Sequence, residues 1–425
     1  MGYPVSEAVN QLEQALSPYR VLDLTDEKGY LCGRILGDMG ADVIKIESPQ
    51  GDLGRHIGPF YKDVSDPEKS LLWFAYNYNK RGITLDVTKD AGKEILKKLV
   101  RRADFLIESF PPGYLDGLGL GYEDLCQINE RLVFTSITPF GQSGPYRDFK
   151  GPDLVGMALG GYLYLTGDAD RPPVRIPVPQ SYLHASTDAA VGTMMAHYHR
   201  QLTGQGQQVD VSMQQSVVWL LMAARPFWEL TGTYLKRAGA FRGGIGSGVL
   251  QRQTWPCKDG CVSFAVFGGP QFAHLNRAMV AWLESEGMAD DFLRSIEWDS
   301  VDMMKYDDNF HIAVSDRVSR FFLSRTKDEL YQGAIAHGAM LYPANTVKDL
   351  FESSQLRSRD FWVEVEHPDL SDRLTYPGSF AHISETPCQI RFRAPRIGEH
   401  NDVIYSKELQ LSPRELSALK AQGVI

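Results

Sequence analysis

Short buried-strand patterns alternate with helical patterns along the first 150 residues, and this alternation limits the possible folds more than any other feature. The strand patterns cover 19–25, 43–46, 83–87, 104–107 and 132–137, and helical spacing occupies 31–39, 90–102 and 125–131. Strands separated by helices of roughly 10–15 residues are typical of a parallel, doubly wound sheet. We therefore predict an α/β fold.

Such sheets bind ligands beyond the carboxyl ends of their strands. Three segments follow predicted strands there, at 47–52, 108–113 and 138–145, and all are rich in Gly, Pro and Ser. Plain turns have the same composition, so these loops are candidates only. The sequence has no G-x-G-x-x-G after the first strand and no Walker motif, which argues against the familiar dinucleotide and ATP sites.

The pattern changes beyond residue 224. A glycine-rich segment at 239–248 precedes a predicted strand at 262–267 and a predicted helix at 270–286. A chain of 425 residues exceeds what one core usually holds. We therefore expect a smaller domain at 225–330, with 1–224 and 331–425 belonging to the larger one.

Composition narrows the partners and the compartment. The net charge of −9 argues against a nucleic-acid partner, and no apolar run approaches the ~20 residues that span a bilayer. Five scattered cysteines do not suggest a disulfide framework, and the first 20 residues lack the pattern of a signal peptide. We expect a cytoplasmic protein with no membrane or nucleic-acid partner.

Two clusters are candidates for chemistry. Asn79, Lys80 and Arg81 follow an aromatic run and could hold the phosphates and base of a nucleotide, although a solvated basic turn fits equally well. Cys257 and Cys261 flank a predicted turn, but two thiols alone make a poor zinc site. We predict no metal site.

A helical pattern is clear from Thr187 onward, with Ser186 or Thr187 as the expected cap. The stretch before it, IPVPQSYLHAS, lies where a loop runs into a helix, a place where enzymes often carry a nucleophile. This stretch contains no acidic residue. The sequence therefore predicts a segment placed like an active-site loop that carries no carboxylate nucleophile.

Taken in order, several segments resemble the class III CoA-transferase family, of the formyl-CoA and carnitine type. They include VLDLTDEKGYLCGRILGDMGADVIKIESPQGD, NYNKRGITLDV, ADFLIESFPPGYLDGLGLGYEDL, RQLTGQGQQVDVSM, VEVEHPDL and APRIGEHND. The matching segments cover nearly the whole chain, and their shared order is more specific than any single motif.

The resemblance implies a Rossmann-like large domain built from both chain ends, a smaller central α/β domain and an interlocked dimer. It also implies transfer of CoA from an acyl-CoA to a carboxylic acid, with CoA thioesters as substrates and no permanently bound cofactor. In the family an aspartate attacks the thioester and carries the acyl group and then CoA.

The family places that aspartate in V-P-x-x-D, before the helix that leads to R-x-x-T-G-x-G-Q. Val178 and Pro179 align with the start of this motif, and Tyr182 then occupies the aspartate position. Counting 22 residues back from Gly204 gives the same position. A phenol with a reference pKa near ~10 cannot replace the carboxylate, so we predict that no residue of this chain is the nucleophile.

The resemblance also suggests the binding residues. Gln180, Tyr182 and His184 are candidates for the acyl pocket, with Ser186 replacing a small family residue. For CoA, Lys80 and Phe110 match family contacts, Ser109 stands where some members have asparagine, and Asn79 and Arg81 flank the lysine.

Three functions stay open at this point. We expect a subunit of a heteromeric CoA-transferase that works with a homologous, aspartate-bearing subunit, since the DLTDEKGYLCGRILGDMGAD stretch is similar to two-subunit members acting on aromatic succinates. Succinyl-CoA and an aryl-substituted succinate are the expected substrates. The alternatives are a stand-alone acyl-CoA isomerase, lyase or hydratase using Tyr182 or His184, and a non-catalytic protein that binds CoA esters.

Overall fold

The computed structural model describes residues 14–243, 250–301 and 308–425. These residues form two compact units, one drawn from 14–160, 177–220 and 354–425 and the other from 161–176 and the described part of 221–353. The domain boundaries expected at 224 and 330 stay a prediction, because compact units and folding domains need not coincide.

The first unit begins with alternating strands and helices. Its strands are β1 Arg20–Leu24, β2 Asp42–Glu47, β3 Lys80–Thr84, β4 Phe105–Glu108, β5 Val133–Thr138 and β6 Gln208–Ser212. Its helices up to residue 219 are α1 Tyr30–Asp38, α2 Leu71–Asn77, α3 Asp90–Val100, α4 Tyr114–Gly117, α5 Tyr122–Cys126, α6 Asp153–Leu159, α7 Gln180–Thr203 and α8 Met213–Trp219.

The six strands form one parallel sheet in the order β3-β2-β1-β4-β5-β6. This result confirms the α/β fold and the parallel sheet expected from the sequence. The order reverses between β1 and β4, and an open crevice forms beyond the carboxyl ends of the strands at such a point.

Side chains that alternate along each strand pack on opposite faces of the sheet. Leu22 and Leu24 of β1 face a core with α3, while Val21 faces a second core with α1 and α7. Burial on both faces explains why these strands appear as nearly continuous apolar runs in the sequence.

The second unit has its own core. Its helices are α9 Ala224–Thr231, α10 Ala273–Ser285, α11 Asp291–Ser295, α12 Asp308–Leu323, α13 Lys327–His337 and α14 Val347–Glu352. Its strands are β7 Phe241–Gly243, β8 Leu250–Arg252, β9 Thr254–Cys257, β10 Gly260–Phe264 and β11 Leu341–Pro343. β9, β10 and β11 form an antiparallel sheet, and β7 pairs with β8. Trp255, Trp282 and Phe322 are buried in this core.

The chain then adds α15 Ser354–Ser358, β12 Trp362–His367, β13 Asp372–Pro377 and α16 Pro413–Ala421 to the first unit. A π-helical segment at Asp402–Glu408 contributes Ile404 and Tyr405 to the core on the α3 side. Among the described residues no helix is both long and apolar enough to cross a bilayer.

Three local predictions need correction or restriction. The third strand begins at Lys80 rather than at residue 83, because its parallel register with β2 extends back to Val43 and the buried Lys80 concealed its start. The helix α7 begins at Gln180 rather than at Thr187. The predicted glycine-rich loop at 239–248 falls partly on residues 244–249, which lie outside the described residues.

Candidate active site

The loop after β1 and the loop after β4 meet at the point where the strand order reverses. The Ser109 hydroxyl donates to Asp26 Oδ1 at 2.8 Å and accepts from the Asp26 backbone N–H at 2.8 Å. Ser109 is buried, so this double hydrogen bond fixes the two loops together. The predicted candidate Ser109 therefore lies in the crevice.

Phe110 follows directly, and its ring stacks on Tyr114 with 4.9 Å between centroids. Its backbone N–H donates to Glu108 Oε2 at 2.7 Å. Glu108 is 4% exposed, and burial raises the pKa of its carboxyl from 4.5 to about 7, although hydrogen bonds from Ser136 and the Phe110 N–H oppose this rise. A carboxyl group that titrates near neutral pH thus supports the backbone of Phe110.

The Tyr182 side chain lies in the first turn of α7 and is only 8% exposed. Burial raises the pKa of the phenol to about 12, against a backbone hydrogen bond from Asp153. The negative charges of Glu27, Asp26 and Asp153 raise it further. The hydroxyl is therefore protonated at neutral pH, and it is neither an anion nor a carboxylate.

Asp153 explains why α7 begins before Tyr182. Its Oδ1 accepts the Ser181 backbone N–H at 2.9 Å and the Ser181 hydroxyl at 2.9 Å. Pro179 occupies the N-cap position without capping side-chain hydrogen bonds, so the carboxylate of Asp153 satisfies a free N–H at the helix start. A negative charge there is also stabilised by the helix dipole.

Ser186 does not cap the helix, contrary to the expectation from the sequence. Its hydroxyl donates to the backbone carbonyl of Lys28 at 2.9 Å. Tyr182 lies four residues earlier, on the same face of α7. This face of the helix is therefore held against the 25–29 loop.

The other two acyl-pocket candidates also lie at the start of α7. Gln180 and His184 are half-buried, and their side chains form no hydrogen bond with another described residue. Both remain available to a ligand, and their assignment to an acyl pocket stays a prediction.

Lys80 is fully buried in an internal network. Its Nζ donates to Asp23 Oδ2 at 2.8 Å, to Asn77 Oδ1 at 2.9 Å and to the Tyr30 carbonyl at 2.9 Å. Burial lowers the pKa of Lys80, whereas Lys80 and Lys45 keep the pKa of Asp23 low despite its burial. These three contacts use all three ammonium protons of Lys80.

The neighbours of Lys80 are also engaged within the chain. Asn79 donates to Asp38 Oδ1 at 2.8 Å, and Arg81 forms ion pairs with Asp42 and Glu408 at 2.6 Å each. Of the five CoA-binding candidates, the structure brings Ser109 and Phe110 together and places the other three at the start of β3. The CoA-binding role of all five stays a prediction.

Two acidic residues in this crevice were not predicted from the sequence as site residues. Asp153 follows a proline and looks like an ordinary first-turn acid, and Glu27 belongs to a charged run, Asp26 to Lys28. The signal that could have exposed Glu27 is the position of this run, directly after the buried strand β1. Within the described ranges no three His, Cys, Asp or Glu side chains are grouped to hold a metal ion.

Comparison with known proteins identifies the family to which the whole chain is similar. The sequence model of CoA-transferase family III matches residues 16–401. The subunit BbsE of succinyl-CoA:(R)-benzylsuccinate CoA-transferase from Thauera aromatica is 37% identical over 395 residues, covering 91% of this chain and 92% of that protein. Succinyl-CoA–D-citramalate CoA-transferase from Chloroflexus aurantiacus is 32% identical, with 96% and 98% covered.

The fold agrees with these sequence matches. The crystal structure of a CAIB/BAIF family protein from Brucella suis superposes with a TM-score of 0.79 at 27% identity, covering 93% of this chain and 99% of that one. Since the family match extends over most of the sequence and both sequence relatives exceed 30% identity, the chain belongs to CoA-transferase family III.

Proposed function

We propose that this protein is the non-nucleophilic subunit of a heteromeric CoA-transferase. The proposal is supported above all by Tyr182, a buried phenol with its pKa raised to about 12, which the motif alignment assigns to the position of the family nucleophile. A homologous subunit supplies the aspartate, and this chain supplies structure and part of the site.

The chemistry requires a carboxylate. The partner's aspartate attacks the acyl-CoA carbonyl, the C–S bond breaks, and an anhydride and the CoA thiolate form. The thiolate attacks the aspartyl carbonyl and releases the donor acid, leaving an aspartyl thioester. The acceptor carboxylate then repeats both steps in reverse. A neutral phenol such as that of Tyr182 cannot form this sequence of intermediates.

The relatives suggest the substrates. The name of the Thauera aromatica relative specifies a subunit, succinyl-CoA and (R)-benzylsuccinate. We extend this to the present chain as CoA transfer from succinyl-CoA to an aryl-substituted succinate. CoA thioesters are then substrates, and no permanently bound cofactor is needed.

Exposed apolar side chains support a protein partner. Val191, Met195, Tyr198 and Leu202 of α7 are each more than half exposed. Together with side chains of α1 and Phe380, residues of this helix line a largely apolar groove of about 730 Å³. Contiguous apolar surface of this kind marks interaction sites, which favours burial against the homologous subunit in an interlocked dimer.

All five cysteines are free thiols. This state fits a reducing compartment and the cytoplasmic location that we propose.

The decisive experiment compares the purified chain with a co-purified complex. The chain alone should not exchange CoA between succinyl-CoA and benzylsuccinate, whereas its complex with an aspartate-bearing homologue should. Exchange at enzymatic rates by the chain alone would refute the proposal.

One observation favours a second candidate. His184 is half-buried and makes no hydrogen bond with a described residue, so its imidazole is free to act as an acid or base in a stand-alone acyl-CoA isomerase, lyase or hydratase. Turnover of a CoA ester by the chain alone, lost in His184→Ala, would support this function. Tight binding of CoA esters without turnover, with or without a partner, would instead indicate a binding protein.

A further inference from the structure

The loop between β1 and α1 carries three consecutive charged residues that differ in their partners. Asp26 forms an ion pair with Lys28 and receives a hydrogen bond from Ser109. Glu27 lies between them, yet its half-buried carboxylate forms no hydrogen bond or ion pair with any described residue. Its charge is therefore not compensated by direct contact.

The position of Glu27 follows from the contacts of its neighbours. The hydrogen bond from Ser186 to the Lys28 carbonyl holds the loop against the face of α7 that carries Tyr182. The charge of Glu27 also acts on the Tyr182 hydroxyl and helps to raise the pKa of that phenol. Glu27 therefore lies on a loop that touches this face of α7, with its charge within electrostatic range of the Tyr182 hydroxyl.

The charged groups around Glu27 do not cancel its charge. Burial, Asp26 and Asp52 raise the pKa of the Glu27 carboxyl, and only Lys28 lowers it. Lys28 is already paired with Asp26. A second carboxylate entering this place would meet a like charge in partly desolvated surroundings, where repulsion exceeds that in water.

We propose that Glu27 is a specificity-determining residue that excludes free carboxylate groups from the acyl position beside Tyr182. This inference rests on the proposed function, because it takes that position as the acyl pocket of a subunit without a nucleophile. The pocket of this chain then accepts CoA thioesters with uncharged acyl groups and rejects dicarboxylic acids and their half-thioesters. In the heteromer, dicarboxylates then bind only in the pocket of the aspartate-bearing subunit.

Two CoA esters of equal carbon number test this directly. Succinyl-CoA and butyryl-CoA both carry four-carbon acyl groups, and only the former ends in a carboxylate. Calorimetric titration of the isolated full-length chain should show butyryl-CoA binding at least about tenfold more tightly. In Glu27→Gln this ratio should fall by about tenfold, through tighter binding of succinyl-CoA alone.

Asp188→Asn provides the matched control, because it removes the same charge from an exposed position on α7. It should leave the ratio of affinities within about twofold, and circular dichroism should show both variants folded. Equal binding of the two esters by the wild type, an equal change for both in Glu27→Gln, or no binding of either ester would each overturn the inference. So would a covalent acyl or CoA adduct at Glu27 detected by mass spectrometry.

The outcome is independent of the turnover test. If the chain alone exchanged CoA, the proposed function would fail while the ratio of ester affinities still reported on Glu27. If the ratio did not depend on Glu27, the heteromer proposal would still stand on its own turnover test.

Discussion

The Ser186 hydroxyl donates a hydrogen bond of 2.9 Å to the backbone carbonyl of Lys28, which joins the helix of the candidate active site to the loop after the first strand. Through this bond the side chains at the start of α7 and the charged residues of the 25–29 loop share one crevice. Ser186 is 1% exposed, so its partner cannot be replaced readily by water.

Ser186→Ala should therefore lower the free energy of unfolding by about 1 kcal/mol, the usual net contribution of a buried hydrogen bond. Urea denaturation measures this change. Thr187→Ala is the matched control, because Thr187 is exposed and its hydroxyl bonds only within its own helix, to the Leu183 carbonyl. Equal losses in the two variants would show that the contact with Lys28 does not stabilise the fold.

Glu108 should make stability depend on pH near neutrality. Burial raises the pKa of this carboxyl from 4.5 to about 7, so the folded state binds an extra proton between these values. The free energy of unfolding therefore falls as the pH rises through this window, by up to about 3 kcal/mol. The loss is complete above pH 7 and absent well below pH 4.5.

Comparing urea denaturation of the wild type and Glu108→Gln at pH 5 and pH 8 isolates this effect, because the amide does not titrate. Asp38, whose pKa burial raises to about 6, gives a slope of the same sign in both proteins. The wild type should lose more stability than the variant over this range. Parallel losses would mean that the Glu108 carboxyl titrates at its ordinary pKa.

Lys80→Met should destabilise the fold strongly, by about 3–5 kcal/mol, because it removes the ammonium that contacts Asp23, Asn77 and the Tyr30 carbonyl. Thermal unfolding measures the effect, with Lys98→Met on the exposed side of α3 as the control. A variant of wild-type stability with weakened CoA binding would instead assign Lys80 to the nucleotide site.

Tyr182→Phe should leave CoA transfer by the heteromer within about twofold of the wild-type rate. The phenol is neutral and cannot act as the nucleophile, and phenylalanine preserves the apolar ring in the core cluster that also contains Ala185 and Ala189. Steady-state rates of the two complexes provide the measurement. A loss of tenfold or more would indicate that the hydroxyl participates in the reaction and would favour the stand-alone acyl-CoA enzyme.

The sequence predicted the sheet well because its strands are buried on both faces and are separated by helices of regular length. Prediction of α7 failed at its start because the hydrogen-bond acceptor at that end belongs to Asp153, 28 residues earlier in the chain. A capping group so distant leaves no local pattern around Gln180, and the apparent caps Ser186 and Thr187 misplace the boundary.

The candidate site was predicted only in part. The assignment of Tyr182 to the aspartate position depends on its alignment with the family motif and on the matching spacing to Gly204, and it stays a prediction. The importance of Glu27 depends on which neighbouring charges are already paired, and that is decided by contacts across the crevice rather than by the order of residues. For the same reason, the sequence could not show that the contacts of Lys80 are internal.

The most direct test of the account measures CoA transfer from succinyl-CoA to benzylsuccinate by this chain alone and by its complex with an aspartate-bearing homologous subunit. We expect transfer by the complex, loss of transfer when the partner's aspartate is replaced by alanine, and none by the chain alone. Transfer at an enzymatic rate by the isolated chain would contradict the claim that its own residues supply no nucleophile.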